Sequence, residues 1–155
     1  MQTDTREISS SVTAQEFRSG VMPRAQLSMM ASQLAVDKAT QKNAKEFAGF
    51  ELMEAITVID VLKDVGTPTP PLSQESQAFL MKLKELEGDE FDKTYMQAEL
   101  SNHEFLRDLA QDYLSSTDET TSASEKETKH LAKVALYAFK EHVAMSKRIY
   151  GELTA

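Results

Sequence analysis

The chain has no cysteine, no tryptophan, only 5 glycines and only 4 prolines in 155 residues. Without thiols there is no cysteine nucleophile, no iron-sulfur cluster and no thiolate zinc site. The lack of cysteine suits an oxidising compartment as well as a reducing one. So few turn formers exclude an all-β fold built on many tight turns, and no Gly-rich loop is present to cradle a dinucleotide. No run approaches the ~18 uninterrupted apolar residues of a membrane span, and the opening residues lack the apolar stretch of a secretory leader. The chain is therefore expected neither to cross a membrane nor to show a leader of its own. Basic residues are outnumbered too: 17 Lys and Arg against 25 Asp and Glu give a formal net charge of -8. That charge repels phosphate backbones and anionic lipid, so nucleic acid is not expected as a partner.

What is there is periodic. Hydrophobic residues at 41% and charged residues at 27% match a folded protein rather than a disordered one. The length is enough for one domain that buries its core without disulfides or a structural metal. Residues 1–12 read as a flexible N-terminal segment and 13–155 as a single domain. After residue 40 the breaks are Gly66 to Pro71, Gly88, and the polar run Ser115 to Ser124, and long helices must fill the gaps.

Helix one opens on a capping-box spacing, Thr13 with Glu16, and carries Leu27, Met30, Ala31 and Leu34 at helical intervals. Pro23 removes an interior hydrogen bond, so a kink or a restart is expected near Met22. Helix two carries a stripe of Ala44, Phe47, Ala48, Ala55, Val58, Ile59, Leu62 and Val65. Ser73 caps a short extra helix to Glu87, which Gly88 ends. Helix three presents Phe91, Tyr95, Ala98, Phe105, Leu106, Leu109 and Tyr113. Helix four begins with a second capping-box spacing, Ser124 with Glu127, and presents Leu131, Val134, Ala135, Ala138, Met145, Ile149 and Leu153. Four long amphipathic helices without a strand pattern predict an all-α antiparallel four-helix bundle, with a kinked first helix and an extra short helix before the third.

The segment Phe91-Asp92-Lys93-Thr94-Tyr95-Met96 followed by His103 resembles the "FDxxYxxxxxxxH" signature of the bacterial domain-of-unknown-function family four-one-four-two. Leu27-x-x-Met30-Ala31, Phe47-Ala48 and Lys140-Glu141-His142 extend the likeness over most of the chain from Phe17 onward. The resemblance implies a ferritin-like four-helix bundle that is exported to the periplasm, its leader removed, with no established activity. The family commonly has an Asp-His pair in helix two where this chain has Glu54 and Ala55, and a Glu in helix one where it has Arg24. A metal site therefore does not carry over from the resemblance.

Four polar residues fall on apolar faces. His142 lies within the stripe of helix four and Glu51 between Ala48 and Ala55 of helix two. An unpaired carboxylate there would cost several kcal/mol and must protonate or find a partner. Glu99 and His103 are four apart on helix three, so both can reach one point. If helices two, three and four are neighbours, Glu51, Glu99, His103 and His142 form a carboxylate and imidazole set suited to a divalent metal: zinc, iron or manganese. The other reading of these positions is a structural polar layer of Tyr95, Asn102, His103 and His142 that fixes helix register. The sole Glu-x-x-His, Glu127 to His130, is assigned to capping. There is no Gly-x-Ser-x-Gly elbow for hydrolysis. The expected role is thus binding or structural rather than catalytic, toward a partner protein of the bacterial envelope or a second copy of the chain. Metal binding is the alternative.

Overall fold

The computed structural model describes residues 11–116 and 122–155. Most of the segment expected to be flexible, residues 1–10, and part of the polar run, 117–121, lie outside them. Five helices follow in order: α1 (Ala14–Lys38), α2 (Lys42–Asp64), α3 (Gln74–Glu85), α4 (Gly88–Ser115) and α5 (Ala123–Thr154). The all-helical bundle expected from the periodicity is what the chain forms.

Local chemistry sets the helix ends. The Thr13 side chain accepts from the Glu16 backbone N–H at 3.1 Å, which satisfies one of the free donors of the first turn. Ser73 does the same for Ser76 at the start of α3. Gly88 takes φ 59, a left-handed backbone that lets the chain turn directly from α3 into α4. Of the kink or restart expected near Met22, the restart does not occur: α1 continues as one helix through Pro23, because Pro23 and Ser19, whose carbonyl loses its partner, both lie at the solvent-facing surface. One expectation needs correction. The cap of α5 is Ser122, accepting from Glu125 N, two residues earlier than the Ser124 and Glu127 spacing suggests.

The hydrogen bonds fix the topology. Contacts from Arg24 to Asn102, Ser28 to Glu99 and Ser32 to Tyr95 run in opposite chain directions, so α1 and α4 are antiparallel neighbours. Gln41 to Glu152 and Glu51 to His142 make α2 and α5 antiparallel likewise. With α1 up, α2 comes down, the crossover through α3 carries the chain back to the top, α4 comes down and α5 goes up. The connection between α1 and α2 is short, 39–41, and a buried carboxylate seals it. Asp92 accepts from the backbone N–H of Thr40 and Gln41 and from the Thr40 hydroxyl at 2.8 to 3.1 Å.

The apolar core has two halves. One contains Phe17, Met22, Ile59, Leu62, Leu106 and Phe139, the other Ala35, Phe47, Leu83, Phe91, Met96 and Ile149. Along each of the four long helices the two halves are separated by a buried polar position: Ser28 on α1, Glu51 on α2, Glu99 with His103 on α4, and His142 on α5. A polar layer therefore crosses the bundle at mid-height. α5 buries Ala135, His142 and Ile149 as its stripe suggested, but its inward face is rotated from the centre of that stripe. Phe139, Val143 and Ser146 are buried while Val134 is 71% exposed, and on α4 Phe105 is exposed, with the Arg24 guanidinium 3.6 Å above its ring.

Candidate metal centre

The polar layer is organised around Glu51. Its Oε2 lies 2.6 Å from His142 Nδ1 and 3.0 Å from His103 Nε2, while its Oε1 lies 2.7 Å from the Ser28 hydroxyl. One turn further along α2, Glu54 places an oxygen 2.8 Å from His142 Nδ1 and another 4.0 Å from His103 Nε2. Each of Glu51, Glu54, His103 and His142 offers one donor atom, and the four atoms lie within 4.8 Å of one another. The two carboxylates share a face because positions i and i+3 of a helix are neighbours. Phe47 and Phe139 pack against the imidazoles and hold them in place.

His103 is oriented by its own helix. Its Nδ1 is 2.8 Å from the carbonyl oxygen of Glu99, one turn back, and donates to it. That bond leaves Nε2 facing Glu51 and Glu54. Although Glu51 Oε2 is only 3.0 Å away, Nε2 is fully buried and makes no aligned hydrogen bond. A ring nitrogen fixed through its partner nitrogen to a carbonyl, and aimed at carboxylates, is how histidine is held for metal ligation.

Charge in the layer alternates. Burial opposes ionising Glu51, but the adjoining His103 and His142 outweigh it and hold its carboxyl at about 2. Burial likewise lowers the imidazoles, yet the carboxylates prevail and raise His103 to about 9 and His142 to about 10. For Glu99 the balance falls the other way, the His103 and Ser28 contributions being too small to offset burial. Burial, reinforced by the charge on Glu51, pushes it up to about 8. Ser28 Oγ stands 2.7 Å from Glu51 and 2.9 Å from Glu99 with one proton to give. A neutral Glu99 resolves this, donating to Ser28 while Ser28 donates to Glu51. In the metal-free protein the site thus carries two protons on imidazoles where a divalent cation would carry the same two charges.

The residues expected to form a set are brought together in part. Glu51, His103 and His142 meet at one point, while Glu99 stands behind His103, its carboxylate 3.5 Å from Nδ1 and outside the four-donor group. Glu54 takes the fourth place. Its signal in the sequence is the Glu51-x-x-Glu54 spacing on a helix that already shows one buried acid. Asn102 and Tyr95 do not join the imidazoles: Asn102 accepts from Arg24 at 3.2 Å and Tyr95 is 2.7 Å from Ser32. Glu127 and His130 are both exposed, away from the layer. The donor set suits a borderline cation, since two carboxylate oxygens and two imidazole nitrogens are ligands that zinc, iron and manganese accept.

Fold and site together define a four-helix bundle with a carboxylate and imidazole cluster at its centre. The family described as Domain of unknown function (DUF4142) matches residues 1–149, and the chain belongs to it. No curated protein and no solved structure matches the chain. The geometry explains the FDxxY…H motif of α4. Phe91 fills the core, Asp92 ties down the turn between α1 and α2, Tyr95 bonds Ser32, and His103 enters the cluster, all four fully buried. Among the described residues no helix is long and apolar enough to cross a membrane.

Proposed function

We propose that this protein binds one divalent transition-metal ion at Glu51, Glu54, His103 and His142, as an exported ferritin-like bundle of the bacterial periplasm. The observation that carries the metal reading is the convergence of four donor atoms within 4.8 Å in a buried layer, with His103 Nε2 set toward the carboxylates and lacking an aligned hydrogen bond. The ferritin-like reading is supported by the single long crossover joining two antiparallel helix pairs, the connectivity of that class. The site differs from a ferritin-like dimetal centre in that no Glu-x-x-His enters the layer.

A structural role for the same layer is favoured by the pairing of Glu51 with two imidazoles, which balances charge without a metal. The two roles separate by titration. Dialysed protein titrated calorimetrically with zinc, iron(II) and manganese is expected to take up one equivalent of at least one of them and to gain thermal stability, because binding to the folded state alone adds stability by mass action. No uptake and no thermal shift with any of the three would leave the polar layer as architecture.

A further inference from the structure

The α2 and α5 seam does not close over the cluster. It leaves a cleft of about 430 Å³ whose walls include Phe50, Met53, Leu131 and Val134 and whose floor is Glu54 and His142. That volume lies in the range of small-molecule sites. The walls are mostly apolar, Thr57 and Glu141 apart, and face solvent, with Phe50 51% and Val134 71% exposed. The polar floor belongs to the donor set. The side chains of Glu54 and His142 keep 15% and 9% exposure, against 3% for Glu51 and 0% for His103, so the cluster meets solvent on its cleft side.

A cation held by these four donors would adjoin the cleft through Glu54 and His142. Iron and manganese accept more than four ligands, and the cleft reaches the donor set at Glu54 and His142, where a further ligand could enter from solvent. An apolar channel ending at such a position is complementary to a molecule that is apolar along its length and carries oxygen donors at one end. We propose that the cleft binds a small amphiphile, its alkyl chain along Phe50, Met53, Leu131 and Val134 and its carboxylate or hydroxamate head on the metal. This inference rests on the metal reading above. A second copy of the chain fits the cleft less well, because each copy carries a formal charge of -8.

Cobalt(II) reports the test, since its visible absorption follows its coordination. The full chain loaded with cobalt is titrated with octanohydroxamate and with acetohydroxamate, and the same is done for Val134→Lys, a change at an exposed position. Octanohydroxamate is expected to change the spectrum at a concentration at least about tenfold lower than acetohydroxamate, and Val134→Lys to erase most of that advantage while its own cobalt spectrum matches that of the parent. Equal concentrations for the two hydroxamates, or no change with either in a cobalt-loaded protein, overturns the cleft proposal and leaves the metal reading standing. Absence of a bound-cobalt spectrum overturns both. A concentration-dependent dimer in sedimentation that Val134→Lys dissolves would assign the cleft to a second copy and also overturn it.

Discussion

Glu51 Oε2 and His142 Nδ1 stand 2.6 Å apart although 91 positions separate the two residues. The contact joins α2 to α5 across the seam that holds the cleft, and it puts the one buried carboxylate with two imidazole neighbours at the centre of the layer. Removing that charge leaves the fully buried His103 without its nearest counterion, while His142 keeps Glu54 at 2.8 Å. Glu51→Gln is expected to destabilise the metal-free protein by about 3 kcal/mol or more, the cost of leaving a buried charge unpaired. Urea denaturation at neutral pH checks this, and an unchanged midpoint would contradict the electrostatic role of Glu51.

The metal-free and metal-loaded proteins are expected to depend on pH in opposite senses. His103 and His142, raised to about 9 and about 10 from 6.5, give stability that is complete below 6.5 and lost as the pH climbs through those values. Glu99, raised from 4.5 to about 8, acts in the same direction over that interval. Glu51, lowered from 4.5 to about 2, adds stability above 4.5 that is lost as the pH falls through about 2. The metal-free protein should therefore be most stable near about pH 5 and weaken toward alkaline pH. Metal must displace the imidazole protons, so its stabilising effect grows with pH. Urea midpoints across pH 4 to 9, with and without metal, distinguish the two slopes.

Glu54 and Glu99 are both close to His103 but have different jobs. Glu54→Gln removes a donor and is expected to weaken metal affinity about 10-fold or more, as loss of a ligand or its support does. Glu99→Gln keeps a hydrogen-bond donor toward Ser28, so metal stoichiometry should be unchanged and stability at neutral pH altered by less than about 1 kcal/mol. Above pH 8 this variant should outlast the parent, because a glutamine cannot ionise there. Competition titration against a metal indicator reads the first pair of outcomes, and thermal melts at pH 7 and 9 the second.

Asp92 should matter for folding and not for metal. Its carboxylate satisfies two backbone donors and a hydroxyl in the turn 39–41. Asp92→Ala leaves those donors unpaired in a partly buried turn, at a cost of about 2 kcal/mol. Denaturant midpoints should fall accordingly while the metal stoichiometry of the folded protein stays the same.

Periodicity and caps made the helices legible from residue order alone, since each buried stripe repeats near 3.6 residues and Thr13 and Ser73 mark helix starts. The azimuth of α5 was legible only in part, since Ala135, His142 and Ile149 are buried as expected but the rest of the stripe is not. Leu131, Val134, Ala138 and Met145 form an apolar stripe as regular as a core stripe, but they line the cleft, while Phe139 on the adjoining arc fills the core. A helix whose apolar arc exceeds its contact area does not say from sequence which part is covered. The site was legible through its penalties. Glu51 and His142 stood out because burying them demands partners, and the structure makes them partners of each other. Glu54 escaped because it sits at the edge of the stripe of α2, where an acidic residue needs no explanation until α5 approaches. Glu99 was drawn into the donor set by its i, i+4 spacing to His103, yet the ring is turned to the Glu99 carbonyl instead. Side-chain rotation, not residue spacing, decided that choice.

The most direct measurement is elemental analysis of purified protein after equilibration with zinc, iron(II) and manganese at neutral pH, with His142→Ala and Glu99→Gln prepared alongside. Stoichiometric metal in the parent and in Glu99→Gln, lost in His142→Ala, is the expected result. Metal that is substoichiometric, or that persists equally in His142→Ala, would contradict a site built on Glu51, Glu54, His103 and His142.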